Sequence, residues 1–135
     1  MKKFLSIFSV FLFVFSFSSC KKEAHIDYIS ADEAKGLMDI SEDYVILDTR
    51  TQEEYDVAHI PGAILIPYDE INEKAKEMLI DKDQLIFVYC RTGRRSKIAA
   101  ESLLELGYTN IKEFGGINSW EFDGITGIDK QNASL

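Results

Sequence analysis

Apolar residues along this chain fall into two alternating patterns. Tyr44-Val45-Ile46-Leu47, ending at Asp48, and Leu85-Ile86-Phe87-Val88-Tyr89, ending at Cys90, are unbroken runs. Such runs predict strands buried on both faces. Ala63 to Ile66, stopped by Pro67, and Asn110 to Phe114 predict two more strands. Between them the apolar positions recur at helical spacing. Ser30-Ala31-Asp32-Glu33 has the form of a capping box and opens a helix with Ala34, Leu37, Met38 and Ile40 on its apolar face. Ile71, Ala75, Met78 and Leu79 mark a second helix. Ile98, Ala99, Ser102, Leu103 and Leu106 mark a third, which Gly107 ends as a left-handed cap would. Thr51 to Val57 is polar and compatible with a helix, and His59-Ile60-Pro61-Gly62 turns the chain. Ile117 to Phe122 predicts a closing helix, Glu23 to Ile26 a polar linker, and Lys130 to Leu135 a loose end. No internal repeat is present.

Strands alternating with helices predict an α/β fold with a mostly parallel sheet. In such sheets ligands sit outside the carboxyl ends of the strands. Asp48, Cys90 and Gly115-Gly116 each follow a predicted strand, so the topology should gather them at one edge. That position suits Cys90 to chemistry better than to packing.

The first twenty residues obey a different rule. Met1-Lys2-Lys3 is basic, and the sixteen residues from Phe4 to Ser19 carry no charge but include five serines. A bilayer span needs about 20 predominantly apolar residues, so the segment suits a signal peptide better. Ser18-Ser19-Cys20 resembles the end of a bacterial lipoprotein signal, whose cysteine receives lipid. The alternative is an uncleaved N-terminal anchor. Both place the domain outside the cytoplasmic membrane and tethered to it. The expected division is a signal peptide over 1–19, a lipidated N-terminus and linker over 20–27, a folded domain over 28–124 and a tail over 125–135.

Composition sharpens this picture. The 135 residues suffice for one domain. Six of the nine phenylalanines precede residue 20, so the aromatic excess belongs largely to the signal. The net charge of −8 argues against nucleic-acid binding. Lys2 and Lys3 are the only charges before residue 20, so the remainder carries 13 cations against 23 anions. Four of those 13 lie between residues 91 and 97, in Cys90-Arg91-Thr92-Gly93-Arg94-Arg95-Ser96-Lys97. This loop opens a helix at about Ser96, so its amide N–H groups can turn inward around an anion. Gly93 permits a backbone conformation that a side chain would hinder. A thiolate at the centre of such a ring gains both charge and hydrogen bonds, as a nucleophilic cysteine requires. If Cys20 carries lipid, Cys90 is the only thiol and no disulfide can form within the chain. His25, His59 and Cys90 lack zinc-ligand spacing, and the reading requires neither metal nor cofactor.

The loop resembles the active-site loop of single-domain rhodaneses, sulfurtransferases whose cysteine carries sulfur as a persulfide. The resemblance extends over residues 28 to about 124. Leu47-Asp48-Thr49-Arg50 with Glu53-Glu54-Tyr55 is similar to the family's first motif, and His59-Ile60-Pro61-Gly62-Ala63 with Ile66-Pro67 to its second. Leu106-Gly107-Tyr108 and Phe114-Gly115-Gly116-Ile117 with Trp120 are similar to its C-terminal motif. This implies an open, mostly parallel sheet of about five strands with helices on both faces. It also implies ping-pong transfer through Cys90 from a small anionic donor, such as thiosulfate, to a thiol or cyanide-like acceptor.

The N–H groups of Arg91 to Ser96, including Thr92 and Gly93, would hold the persulfide. Arg91, Arg94 and Arg95 would orient the donor. Arg95 has an alternative role, bracing the loop against a carboxylate. Asp48 and Arg50 read as structural, because a carboxylate beside a thiolate opposes its ionisation; their expected interactions are ion pairs with Arg or Glu54. His59 reads as a turn-fixing residue and Trp120 as core. Three rivals stand beside sulfur transfer. Rhodanese-fold phosphatases or arsenate reductases place five residues between Cys and Arg, where four separate Cys90 from Arg95. Non-catalytic rhodanese-like binding modules usually lack the cysteine. A thiol-disulfide oxidoreductase needs a Cys-x-x-Cys partner, which is missing here. The sequence names no protein partner.

Overall fold

In the computed structural model, residues 23–122 are described; the expected signal peptide, Cys20 and the expected tail lie outside them. The central strand is β4 (Leu85–Cys90), the longest of the apolar runs, and every residue after Leu85 is buried. Alternation sends Ile86 and Val88 to one face and Phe87 and Tyr89 to the other. On one side β4 pairs with β2 (Tyr44–Asp48), which pairs with the short β3 (Ile64–Leu65). On the other side lie β5 (Asn110–Gly116) and then β1 (His25–Tyr28). The order is β1-β5-β4-β2-β3 and every pairing is parallel.

Helices cover both faces. α3 (Ile71–Met78) and α4 (Arg94–Glu105) pack through Ile71, Ala75, Ala99, Ala100 and Leu103 on the face of Ile86 and Val88. α1 (Ala31–Ile40) contributes Ala31, Ala34 and Met38 to the opposite core, with Ile60, Ala63, Phe114 and Trp120. The α/β fold expected from the sequence is therefore the observed one. The predicted capping box is present: Glu33 N donates to Ser30 Oγ at 3.2 Å and Ser30 N to Glu33 Oε2 at 2.8 Å. Gly107, at φ +91°, lets the Tyr108 N–H reach the Leu103 carbonyl at 3.1 Å and close α4.

Five expectations change. β1 occupies part of the predicted linker, because as an edge strand it needs only Ile26 in the core. Its other side chains pair at the surface, Asp27 with Lys112 and His25. β3 shrinks to two residues, and β5 extends through both glycines. The predicted closing helix is a single 3-10 turn, Ile117–Ser119, followed by the buried Trp120. Ile40 and Met78, placed on apolar helix faces by spacing, are 80% and 46% exposed, since each lies at the last residue of its helix, beyond the sheet's cover.

Candidate active site

Cys90 is the last residue of β4 and continues the face formed by Ile86 and Val88, so its sulfur points beneath α4 and is 1% exposed. The chain then reverses through Arg91 and Thr92 to Gly93, which adopts φ +113° as the N-cap of α4. The helix opens at Arg94, two residues earlier than the sequence suggests. This turn brings the Gly93 N–H to 3.0 Å and the Ser96 hydroxyl to 3.4 Å from Cys90 Sγ. Burial is the largest influence on the thiol and opposes ionisation. The Ser96 hydroxyl and the N–H groups of Ser96, Gly93 and Thr92 together outweigh it, so the pKa falls below the ordinary thiol value. A buried sulfur ringed by these donors is equipped to carry negative charge.

The loop is held from two sides. Gly115 and Gly116 press on it from β5: a Cβ on Gly116 would lie 2.0 Å from the Arg91 carbonyl oxygen, and one on Gly93 would lie 3.3 Å from Gly115 Cα. From α2 (Gln52–Val57), Glu54 takes two hydrogen bonds from the Arg95 guanidinium, at 2.7 and 2.8 Å. Glu54 also closes a capping box with Thr51, whose N–H reaches it at 3.0 Å. Arg95 thus takes the bracing position. The hydrogen bonds from Arg95 are the main reason that the Glu54 carboxyl is held down at about 2. Of the other loop cations, Arg91, Arg94 and Lys97 are exposed, with the Arg94 guanidinium 5.9 Å from the Tyr68 ring centroid.

Asp48 and Arg50 lie apart from the sulfur's hydrogen-bond shell. Asp48 is fully buried and receives Arg50 Nε at 2.9 Å, Arg50 Nη2 at 2.6 Å and the Tyr89 hydroxyl at 2.7 Å. Arg50 also donates to the Ala58 carbonyl at 2.6 Å, and the Ile60 N–H donates to Tyr89 at 3.1 Å. The group ties the end of β2 to the turn at 58–60. Arg50 forms its ion pair with Asp48, while Glu54 is taken by Arg95. In the same turn the His59 ring stacks on Tyr55 with centroids 3.8 Å apart, and His59 Nδ1 lies 2.8 Å from the Tyr55 carbonyl oxygen.

One residue at the site carried no signal in the sequence. Glu113, on β5, is 3% exposed, and its Oε1 accepts the Ser96 hydroxyl at 2.6 Å and the Gly115 N–H at 2.9 Å. Between strands, Val88 pairs with Glu113 but Cys90 pairs with Gly116, so β5 carries one extra residue. Gly115, at φ +86°, accommodates that bulge. The bulge turns the Gly115 N–H back onto Glu113 and sets the carboxyl behind Ser96. A lone glutamate between Ile111 and Phe114 has no spacing that would reveal this. The Thr51-to-Glu54 spacing, by contrast, could have disclosed the second capping box.

A parallel α/β sheet with a donor-ringed cysteine at the end of its central strand defines a class of thiol-bearing α/β domains. The family described as Rhodanese-like domain matches residues 30–123, and the chain belongs to it. It is 37% identical over 81 residues to Thiosulfate sulfurtransferase PspE of Escherichia coli, covering 60% of this chain and 78% of that protein. It is 39% identical over 85 residues to Adenylyltransferase and sulfurtransferase UBA4 of Meyerozyma guilliermondii. That match covers 58% of this chain but only 20% of the fungal protein. The solved Rhodanese-like Domain Protein from Staphylococcus aureus superposes with a TM-score of 0.64 at 31% identity, covering 76% of this chain and 98% of that one. The chain is thus a rhodanese-like domain with sulfurtransferase homologues.

Proposed function

We propose that the protein moves sulfane sulfur from a small anionic donor such as thiosulfate to a thiol or cyanide-like acceptor through a persulfide on Cys90. The supporting observation is the ring of donors around Cys90 Sγ, with the Gly93 N–H at 3.0 Å and the Ser96 hydroxyl at 3.4 Å. The thiolate attacks the outer sulfur of thiosulfate. A new S–S bond forms, the donor's S–S bond breaks, and sulfite leaves with its electron pair. The acceptor then attacks the outer sulfur of the persulfide, and the Cys90 thiolate departs with the electrons of that bond. The donors that lower the thiol pKa also hold the charge of Cys90–S–S⁻. Arg91 and Arg94, exposed beside the loop, attract the donor, while Arg95 fixes the loop to Glu54. Purified protein should release sulfite from thiosulfate with cyanide as acceptor. Cys90→Ser should abolish the release, and unchanged release in that variant would refute the assignment.

The second part of the reading is a lipid on Cys20 that anchors the domain in the bacterial envelope, facing away from the cytoplasm. Mass analysis of the membrane fraction should find a lipid adduct on Cys20; a chain still bearing Met1 would contradict it.

A further inference from the structure

Ser96 presents one hydroxyl proton to two acidic groups, Cys90 Sγ at 3.4 Å and Glu113 Oε1 at 2.6 Å. The shorter distance is that of a charge-assisted O–H···O⁻ bond. Two backbone carbonyls, of Gly93 and Gly115, stand slightly further from the hydroxyl at 3.1 Å. With the Ser96 proton on Glu113, the oxygen's lone pairs are left to accept from the thiol S–H. The chain of donors then runs from Cys90 through Ser96 to Glu113. If both end groups are ionised, one of them loses its hydroxyl partner. Glu113 also lines a cavity of about 450 Å³ beside the loop, with Tyr28, Thr92, Gly93 and Lys97.

We propose that Glu113 is the proton acceptor of Cys90, reached through the Ser96 hydroxyl and open to water through that cavity. The Cys90 S–H bond breaks and its proton joins Ser96 Oγ. The former Ser96 proton joins Glu113 Oε1. The products are a Cys90 thiolate, an intact serine and a neutral Glu113. The donor chain now runs the other way, from Glu113 through Ser96 to sulfur, and no heavy atom has moved. Glu113 then yields its proton to water in the cavity. The groups facing Glu113 are Ser96 from α4, Gly115 from its own strand, and Tyr28 and Lys97 from the cavity wall. Lys112, its neighbour on β5, is engaged with Asp27 instead.

The proposal rests on the reading of Cys90 as the nucleophile, but its test needs no sulfur donor. The rate of Cys90 alkylation by iodoacetamide, followed by intact mass against pH, reports the thiolate. Two coupled acids give a rate that levels off over an interval below the main thiol transition. In Glu113→Gln that interval should vanish, leaving a fall of about tenfold per pH unit. Ser96→Ala retains the carboxylate and breaks the chain at its centre, so it should lose the interval too. A wild-type profile with one transition, matching that of Glu113→Gln, would overturn the proposal. An interval that persists in Ser96→Ala would overturn the relay by assigning the coupling to charge alone. If Glu113→Gln does not fold, Ser96→Ala decides between these outcomes. Failure of sulfur transfer shows separately, as absence of sulfite release from a protein whose Cys90 still alkylates.

Discussion

At Gly116 an added Cβ would stand 2.0 Å from the Arg91 carbonyl oxygen and 2.6 Å from the Thr92 nitrogen. Both opposing atoms are backbone, so no side-chain rotation relieves the contact. Gly116→Ala must push the loop away from β5 and pull its N–H groups off the sulfur. The expected cost is about 3 kcal/mol, the upper end for overpacking. Urea unfolding would measure it, and alkylation of Cys90 at neutral pH should slow as the thiol loses its donors. Full stability and unchanged alkylation in Gly116→Ala would show that the loop is not shaped by this contact. The paired glycines were visible in the sequence as a turn. What they press against was not, because Arg91 is 25 residues earlier and meets them only through parallel pairing of β4 with β5.

Among elements, α2 is the shortest α-helix of the described residues and buries no residue fully, yet it holds the loop through Glu54. Both partners are partly exposed, at 18% for Arg95 and 27% for Glu54. The sign of the pH effect follows from the lowered carboxyl: folded Glu54 titrates at about 2, against an ordinary value of 4.5. The folded protein therefore binds its proton less readily than the unfolded chain. The pair's contribution is present above about 4.5 and is lost as pH falls towards about 2. Glu54→Gln should be less stable than the parent at pH 6, and the gap in urea unfolding should close on acidification. A gap that widened at low pH would reverse the assignment. The helix itself was legible only as a polar segment compatible with a helix. The central strands were clear for a simpler reason, since a parallel strand covered on both sides must be apolar throughout. β1 escaped notice because an edge strand of His25, Ile26, Asp27 and Tyr28 buries little and satisfies one side only. The β5 bulge escaped because it depends on register between strands, which no single segment contains.

Over the whole molecule, the parallel order β1-β5-β4-β2-β3 brings Asp48, Cys90 and Gly116 to the same end of the sheet. Their roles differ despite this proximity. Asp48 is consumed by Arg50 and Tyr89, which secure the turn at 58–60, whereas Cys90 faces donors from the loop and α4. The net charge of −8 is carried elsewhere on a chain that concentrates four cations at 91–97. An anion thus meets an attractive site on an otherwise repelling surface. Sulfur transfer as proposed makes Cys90 the carrier of the transferred atom. Its most direct test is the intact mass of purified protein after brief thiosulfate treatment and removal of the reagent. The expected result is a gain of one sulfur atom on Cys90, lost again on adding cyanide and absent from Cys90→Ser. An unchanged mass, together with hydrolysis of an aryl phosphate, would contradict it.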